Sequence, residues 1–156
     1  MMNSLKQTTV LGIIGGSGVY EMSGVEVISK HPLTTPFGCA SDEVAELKIE
    51  GRTAYFIPRH GQGHRLTPSE VPYRANIHAL KQMGVTHLLA VSAVGIMKEH
   101  IRPGDMIIPD QIFDRTKDIR PHTFFGNGIV GHVSMADPFC DELANVVTAA
   151  TRKCDA

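Results

Sequence analysis

The side chains with the most chemistry in them lie between Tyr55 and Asn76. An apolar run, Tyr55-Phe56-Ile57, is stopped by Pro58 and hands over to Arg59 and His60, where Gly61 and Gly63 allow a sharp turn. His64 and Arg65 add donors and positive charge, and Pro68 and Pro72 suit the first turn of a following helix. A planar guanidinium forks onto phosphate or carboxylate, and a neighbouring imidazole can add a second donor. Strand, Arg-His pair, glycines and helix is the order in which an α/β protein presents an anion site at the C-terminal end of its sheet. A solvated basic loop is the plainer reading of the same residues. Metal ligation by His60 and His64 lacks a third ligand nearby.

Two other stretches carry similar groups. Gly15-Gly16-Ser17-Gly18 follows the apolar run Val10–Ile14, so backbone N–H groups and the Ser17 hydroxyl can converge on an anion; a plain tight turn fits equally well. Glu21 stands where the third glycine of a dinucleotide fingerprint belongs, and no Gly-Lys-Ser/Thr follows to make a P-loop. Ser92-Ala93-Val94-Gly95 ends a second apolar run, His87–Ser92. In a parallel α/β sheet these ends share one edge, so Ser17, Arg59-His60 and Ser92-Ala93 can converge on one tetrahedral oxyanion.

The elements that must position these groups are legible from periodicity and punctuation. Strands are expected at Val10–Ile14, Val25–Ile28, Val44–Ile49, Arg52–Ile57 and His87–Ser92, the first and last of them buried, with Glu50-Gly51 as a hairpin turn. Ala75, Ala79, Leu80 and Met83, with Ile77 less regularly placed, mark a helix from about Val71 to Met83 that Gly84 stops. Arg102–Asp105 is a turn, Met106–Ile108 a short strand, and Val133–Met135 a further strand candidate. Asp137-Pro138 opens a final helix through Leu143, Val146, Val147 and Ala150. The polar stretch Gln111–Gly131 holds Arg115, Lys117 and Arg120 close together, as a functional loop, an interface or a solvated excursion.

Composition narrows the class. The chain has 156 residues, 42% of them hydrophobic, and a formal net charge of −1. That suits one ordinary domain and points away from a polyanion or a membrane surface as partner. No apolar run approaches the roughly 20 residues of a spanning helix, and Met1–Thr9 is polar, without the apolar core of a signal peptide. Cys39, Cys140 and Cys154 make no Cys-x-x-Cys pair and are odd in number, which suggests packing residues of a reduced, cytoplasmic chain.

Taken in order, Gly12-Ile13-Ile14-Gly15-Gly16-Ser17-Gly18, Thr35-Pro36-Phe37-Gly38, Pro58-Arg59-His60-Gly61, Tyr73-Arg74-Ala75-Asn76-Ile77, Val91-Ser92-Ala93-Val94-Gly95, Ile101-Arg102-Pro103-Gly104-Asp105, Asp110–Thr116 and Met135–Cys140 resemble the purine nucleoside phosphorylase superfamily, most closely its 5′-methylthioadenosine phosphorylase branch. The resemblance implies an α/β fold with a mixed central sheet flanked by helices, cut off before the C-terminal strands and helices. Residues 1–8 would then be a tail, and 9–156 the N-terminal portion of a single phosphorylase domain. It implies phosphorolysis of a purine nucleoside, S-methyl-5′-thioadenosine plus phosphate giving adenine and 5-methylthioribose 1-phosphate, in purine and methionine salvage. Carried over by position, Ser17, Arg59, His60, Ser92 and the Ala93 backbone N–H would bind phosphate. His132 would reach a neighbouring subunit's site near the sugar 5′ substituent, in a homotrimer. No metal or organic cofactor is implied, phosphate being a co-substrate, and no nucleic-acid or membrane partner.

The pattern also departs from the family. Ile96-Met97 and His100 replace a more polar and acidic stretch, and Asp137 and Asp141 do not match the aspartates that hold the purine base, so no catalytic residue is assigned. Three alternatives stand beside the main reading. One is a phosphorylase acting on 6-oxopurine nucleosides or methylthioinosine. Another is an inactive fragment that keeps only the phosphate half-site. The last is a phosphatase of the Arg-His-Gly type, with His60 as the nucleophile.

Overall fold

Two strand directions meet in the first half of the chain. The computed structural model describes residues 9–116 and 119–154, which fall into one unit ending at Ser92 and another beginning at Ala93. Lys117 and the expected tail at 1–8 lie outside the described residues.

The first unit holds strands β1 (Leu11–Gly15), β2 (Val25–His31), β3 (Thr34–Thr35), β4 (Gly38–Cys39), β5 (Val44–Ile49), β6 (Arg52–Pro58) and β7 (His87–Ala90), with one helix, α1 (Tyr73–Gln82). Five strands form a mixed sheet in the order β2-β5-β6-β1-β7, while β3 and β4 pair separately. β1 lies parallel to both β6 and β7, whereas β5 runs antiparallel to β2 and β6. The expected hairpin is present: Ile49 faces Arg52 across Glu50 and Gly51, both in the left-handed region at φ 46° and 79°. Two consecutive positive φ values match the right-handed twist of the strands, and Gly51 adopts its value without steric cost.

Each sheet face has its own core. On one, Ile13, Ala45, Leu47, Ala54 and Phe56 pack together, and Tyr20 sets its ring edge-on to Phe56 at 4.9 Å. On the other, Ile14, Val44 and Ile57 meet Ala79 and Leu80 of α1. Burying a side chain of the size of Phe56 or Ile57 contributes about 1.5–3 kcal/mol. The buried stripe of α1 is Ala75, Asn76, Ala79 and Leu80, with Ile77 on the exposed side. Gly84, at φ 78°, ends the helix by letting its N–H reach Lys81 O while Val85 N–H reaches Leu80 O.

Three expectations need correction in this unit. The helix begins at Tyr73 rather than near Val71, because Pro72 takes φ −80°, ψ 70° and biases Val71 away from helical backbone. β7 was expected as a buried strand through Ser92. It ends at Ala90 and is a half-exposed strand, paired among the described residues only with β1. β2, at the other end of the strand order, runs three residues further than expected, to His31, with a bulge between Val27 and Ser29.

The second unit contains helix α2 (Asp141–Lys153) and otherwise turns. The Arg102–Asp105 turn is closed by Arg102 N–H donating to Asp105 Oδ2 at 2.8 Å. Met106–Ile108 and Val133–Met135, expected as strands, have no strand partner among the described residues and are irregular. β-propensity without a neighbouring ladder does not make a strand. α2 starts four residues after Asp137. Asp141 and Glu142 sit in its first turn and Arg152 and Lys153 in its last, matching the helix dipole. No described residue of this unit is fully buried, and Met97, Phe113 and Val130 are at least four-fifths exposed.

Candidate anion site at the ends of three strands

The register of the sheet decides which loops are neighbours. Gly15 pairs with Pro58, and Ile14 with Ala90. The ladder continues one step beyond the strands: Arg59 N–H donates to Gly15 O and Val91 N–H to Ile14 O, both at 2.8 Å. The chains leaving β1, β6 and β7 therefore emerge side by side at one edge, with the Gly16-Ser17-Gly18 turn between Arg59 and Ser92. That is the convergence expected of a parallel arrangement, and it holds here for the parallel part of a mixed sheet.

Ser17 opens a short 3-10 turn, Ser17–Glu21, and is exposed. Gly16 and Gly18 have ordinary negative φ, and a Cβ added at either would meet nothing within 4 Å. Neither packing nor dihedral strain calls for glycine at these two positions, and the backbone there is open to solvent. Ser92 is exposed at the end of the first unit, and Ala93 is the next residue of the chain. His132 is exposed in the second unit.

Arg59 is the most firmly held of the candidate groups. Its carbonyl accepts from Ser41 Oγ at 2.7 Å, and its side chain donates from Nε to His60 Nε2 at 3.2 Å and from Nη1 to Val91 O at 3.3 Å. Nη2 has no partner among the described residues. His60 Nδ1 lies 2.8 Å from Leu66 O, and its ring stacks on His64 at 4.3 Å with an interplanar angle of 18°. The turn that bends these residues back needs glycine at position 61. Gly61 has φ 72°, and a Cβ there would come within 2.8 Å of Arg65 Nε and 3.1 Å of Ser41 O.

A buried polar hub lies behind Arg59 and was not anticipated. Ser41 is fully buried and Asn76 is 1% exposed. Ser41 N–H donates to Asn76 Oδ1 at 2.7 Å, and Asn76 Nδ2 donates to Ser41 Oγ at 2.8 Å. Arg65 Nη2 donates to Ser41 O. Through Ser41, α1 is tied to the residue that carries the guanidinium. Ser41 sits in a polar loop and gave no sign of burial, but Asn76 belongs to the Tyr73–Ile77 motif and faces the same side as Ala79 and Leu80.

Other clusters are less able to do chemistry. Ser29 Oγ and Glu46 Oε2 both meet Nε2 of His31, at 2.9 and 3.3 Å, so no proton can pass from hydroxyl through the ring to the carboxylate. Among the described residues no group of three His, Cys, Asp or Glu is placed to hold a metal ion, and no helix is long and apolar enough to cross a membrane.

The chain is similar to known proteins along nearly its whole length. Residues 10–155 match the family model described as the phosphorylase superfamily. An S-methyl-5'-thioadenosine phosphorylase from Geobacter sulfurreducens is 50% identical over 147 residues, covering 94% of this chain and 51% of the relative. One from Chloroflexus aurantiacus is 52% identical over 145 residues, covering 93% and 50%. Among solved structures, a methylthioadenosine phosphorylase from an antarctic soil metagenomic library superposes with a TM-score of 0.89 at 51% identity, over 96% of this chain and 52% of that one. The methylthioadenosine phosphorylase of Schistosoma mansoni, free of ligand, gives 0.85 at 38% identity, over 94% and 53%. The chain thus spans about half the length of the curated relatives it matches.

Proposed function

The chain belongs to the phosphorylase superfamily, and from that premise we propose that it serves phosphorolysis of S-methyl-5'-thioadenosine, yielding adenine and 5-methylthioribose 1-phosphate. The observation that carries the proposal is the strand edge itself. Three parallel strands end side by side and are followed in the chain by Ser17 with its open glycine backbone, Arg59 and Ser92, and relatives at about half identity are named for that reaction.

The chemistry asks little more of this half of the site. A phosphate oxygen attacks C1′ of the ribosyl group as the C1′–N9 bond breaks, and the bonding pair leaves with the purine, which takes up a proton. Phosphate is both nucleophile and counter-charge to an oxocarbenium-like transition state. A cradle of neutral donors and one fixed guanidinium therefore lowers the barrier by position and by charge. On this reading Ser17, Arg59, Ser92 and the Ala93 N–H surround the phosphate with His60 beside Arg59, and His132 approaches the sugar 5′ substituent of a neighbouring subunit in a homotrimer. Residues 9–156 form the N-terminal portion of one domain of a cytoplasmic enzyme, with no organic cofactor or metal in the scheme. The phosphatase reading is disfavoured by His60, since Leu66 O and Arg59 Nε already face both of its ring nitrogens and a nucleophile needs a free lone pair.

The test is phosphate-dependent release of adenine from S-methyl-5'-thioadenosine by the purified 156-residue chain, with Arg59→Ala beside it. Release that requires phosphate and disappears in the variant is the expected result. A folded chain that releases no adenine overturns turnover by this chain and leaves a phosphate half-site.

A further inference from the structure

We propose that His60 is a positioning residue for Arg59: a neutral imidazole, protonated on Nδ1, whose Nε2 lone pair aims the guanidinium across the end of β1. The proposal rests on reading that strand edge as an anion site, and it reverses the donor role that the Arg-His pair suggests from sequence. The argument is one of proton counting. Leu66 O, 2.8 Å from Nδ1, is a carbonyl and can only accept, so Nδ1 carries a hydrogen. Arg59 Nε–H, 3.2 Å from Nε2, can only donate, so Nε2 carries none. An imidazole held this way has no N–H left to offer a phosphate. Were Nε2 protonated, its N–H would oppose that of Arg59 Nε, and the guanidinium would lose one of its two side-chain tethers.

The other tether, Nη1 to Val91 O at 3.3 Å, lies toward β7, so Arg59 is stretched from its own strand end over Gly15 toward the neighbouring one. With Nε and Nη1 engaged, Nη2 and the remaining Nη1 N–H are the donors left to meet an oxyanion. The ring itself is fixed by Leu66 on one nitrogen and by the parallel face of His64. Among the charged and titratable groups around this loop are Arg59, His64, Arg65, Asp42 and Glu70; Asp42 is turned to Gln62 N–H and Arg65, and Glu70 to Thr67, rather than to His60. Among the described residues no carboxylate contacts His60.

The experiment uses the full 156-residue chain labelled with ¹⁵N, with sulfate as the anion because its charge is constant over the histidine range. Two spectroscopic readings need no ligand: the tautomer of His60 and the solvent exchange of the Arg59 Nε–H. Expected are the Nδ1–H tautomer and a protected Nε–H. His60→Gln, whose amide oxygen can still accept from Arg59, keeps that protection. His60→Asn, which reaches Leu66 O but not Arg59, loses it, and sulfate affinity falls with it by roughly tenfold, the scale of one hydrogen bond to a charged group. An Nε2–H tautomer in the unmodified chain overturns the proposal, as does an Arg59 Nε–H that exchanges equally fast in the unmodified chain and His60→Asn. If sulfate fails to bind the unmodified chain, the anion-site reading falls, while the tautomer and exchange data still decide the role of His60.

Discussion

Replacing Asn76 by alanine should cost far more than its place on a surface helix suggests. Asn76 is 1% exposed and exchanges two hydrogen bonds with Ser41, itself fully buried. Truncation strands the Ser41 N–H, a buried donor whose missing partner costs about 1–3 kcal/mol. It also removes the donor that Ser41 Oγ accepts and leaves a space about the size of the lost amide, worth about 1 kcal/mol more. The sum is about 2–4 kcal/mol. With a urea m-value of about 2 kcal/mol/M for a domain of this size, the unfolding midpoint should fall by about 1–2 M. Ser41→Ala shares part of that loss, since it strands Asn76 Nδ2 and Arg59 O together. The double variant should therefore fall short of the sum of the singles by at least about 1 kcal/mol. Equilibrium urea unfolding, followed by a probe in the sheet, supplies all four corners of the cycle. A midpoint shift below about 0.3 M for Asn76→Ala, or strict additivity with Ser41→Ala, would refute the hub as a shared network.

Two further outcomes follow from packing and ionisation. Gly12→Ala should destabilise the chain by about 1–3 kcal/mol, because its Cβ would lie 2.7 Å from Val85 Cγ1 and 3.0 Å from Cγ2. Val85→Ala in the same chain should recover part of the loss, and losses that simply add would sink the steric account. Burial, and then the Asp42 and Glu43 carboxylates, push the Tyr20 phenol up from its ordinary 10.0 to about 12. The folded chain then holds this proton more tightly than the unfolded one. Stability from Tyr20 is complete below pH 10.0 and drains away as pH rises from there to about 12. Phenolate absorbance against pH should lose its uppermost step in Tyr20→Phe, and an unchanged upper step would contradict the assignment.

How much of this was legible in the sequence depends on where the information sits. Glu50-Gly51 between two β-branched and aromatic runs fixed the β5–β6 hairpin to within a residue, because turn chemistry and alternation are both local. Gly84 stopped α1 where expected for the same reason. The strand-end candidates Ser17, Arg59 and Ser92 came from position after apolar runs, and parallel pairing of β1 with β6 and β7 sets the ends of those strands side by side. Met106–Ile108 and Val133–Met135 failed because a short apolar run says nothing about whether a partner strand is there to pair with it. The Ser41–Asn76 hub and the tautomer of His60 were hidden for a different reason. Both depend on which atoms face each other across 35 and 6 residues of chain, and residue type alone assigns His60 a donor where Arg59 requires an acceptor.

The strand order has a consequence for birth order on the ribosome. Among the described strands β1 comes first in the chain, yet it lies between β6 and β7 in the sheet. Neither neighbour exists when it emerges. Its first ladder cannot close until Pro58 has been added, about 2–9 s later at ordinary elongation rates of about 5–20 residues per second, and its second waits for Ala90. Meanwhile β5 and β6 can zip locally through their two-residue turn. The nascent chain must thus keep Ile13 and Ile14 unpaired but available, and the glycines around them, Gly12, Gly15 and Gly16, dilute what would otherwise be an unbroken sticky run through that wait.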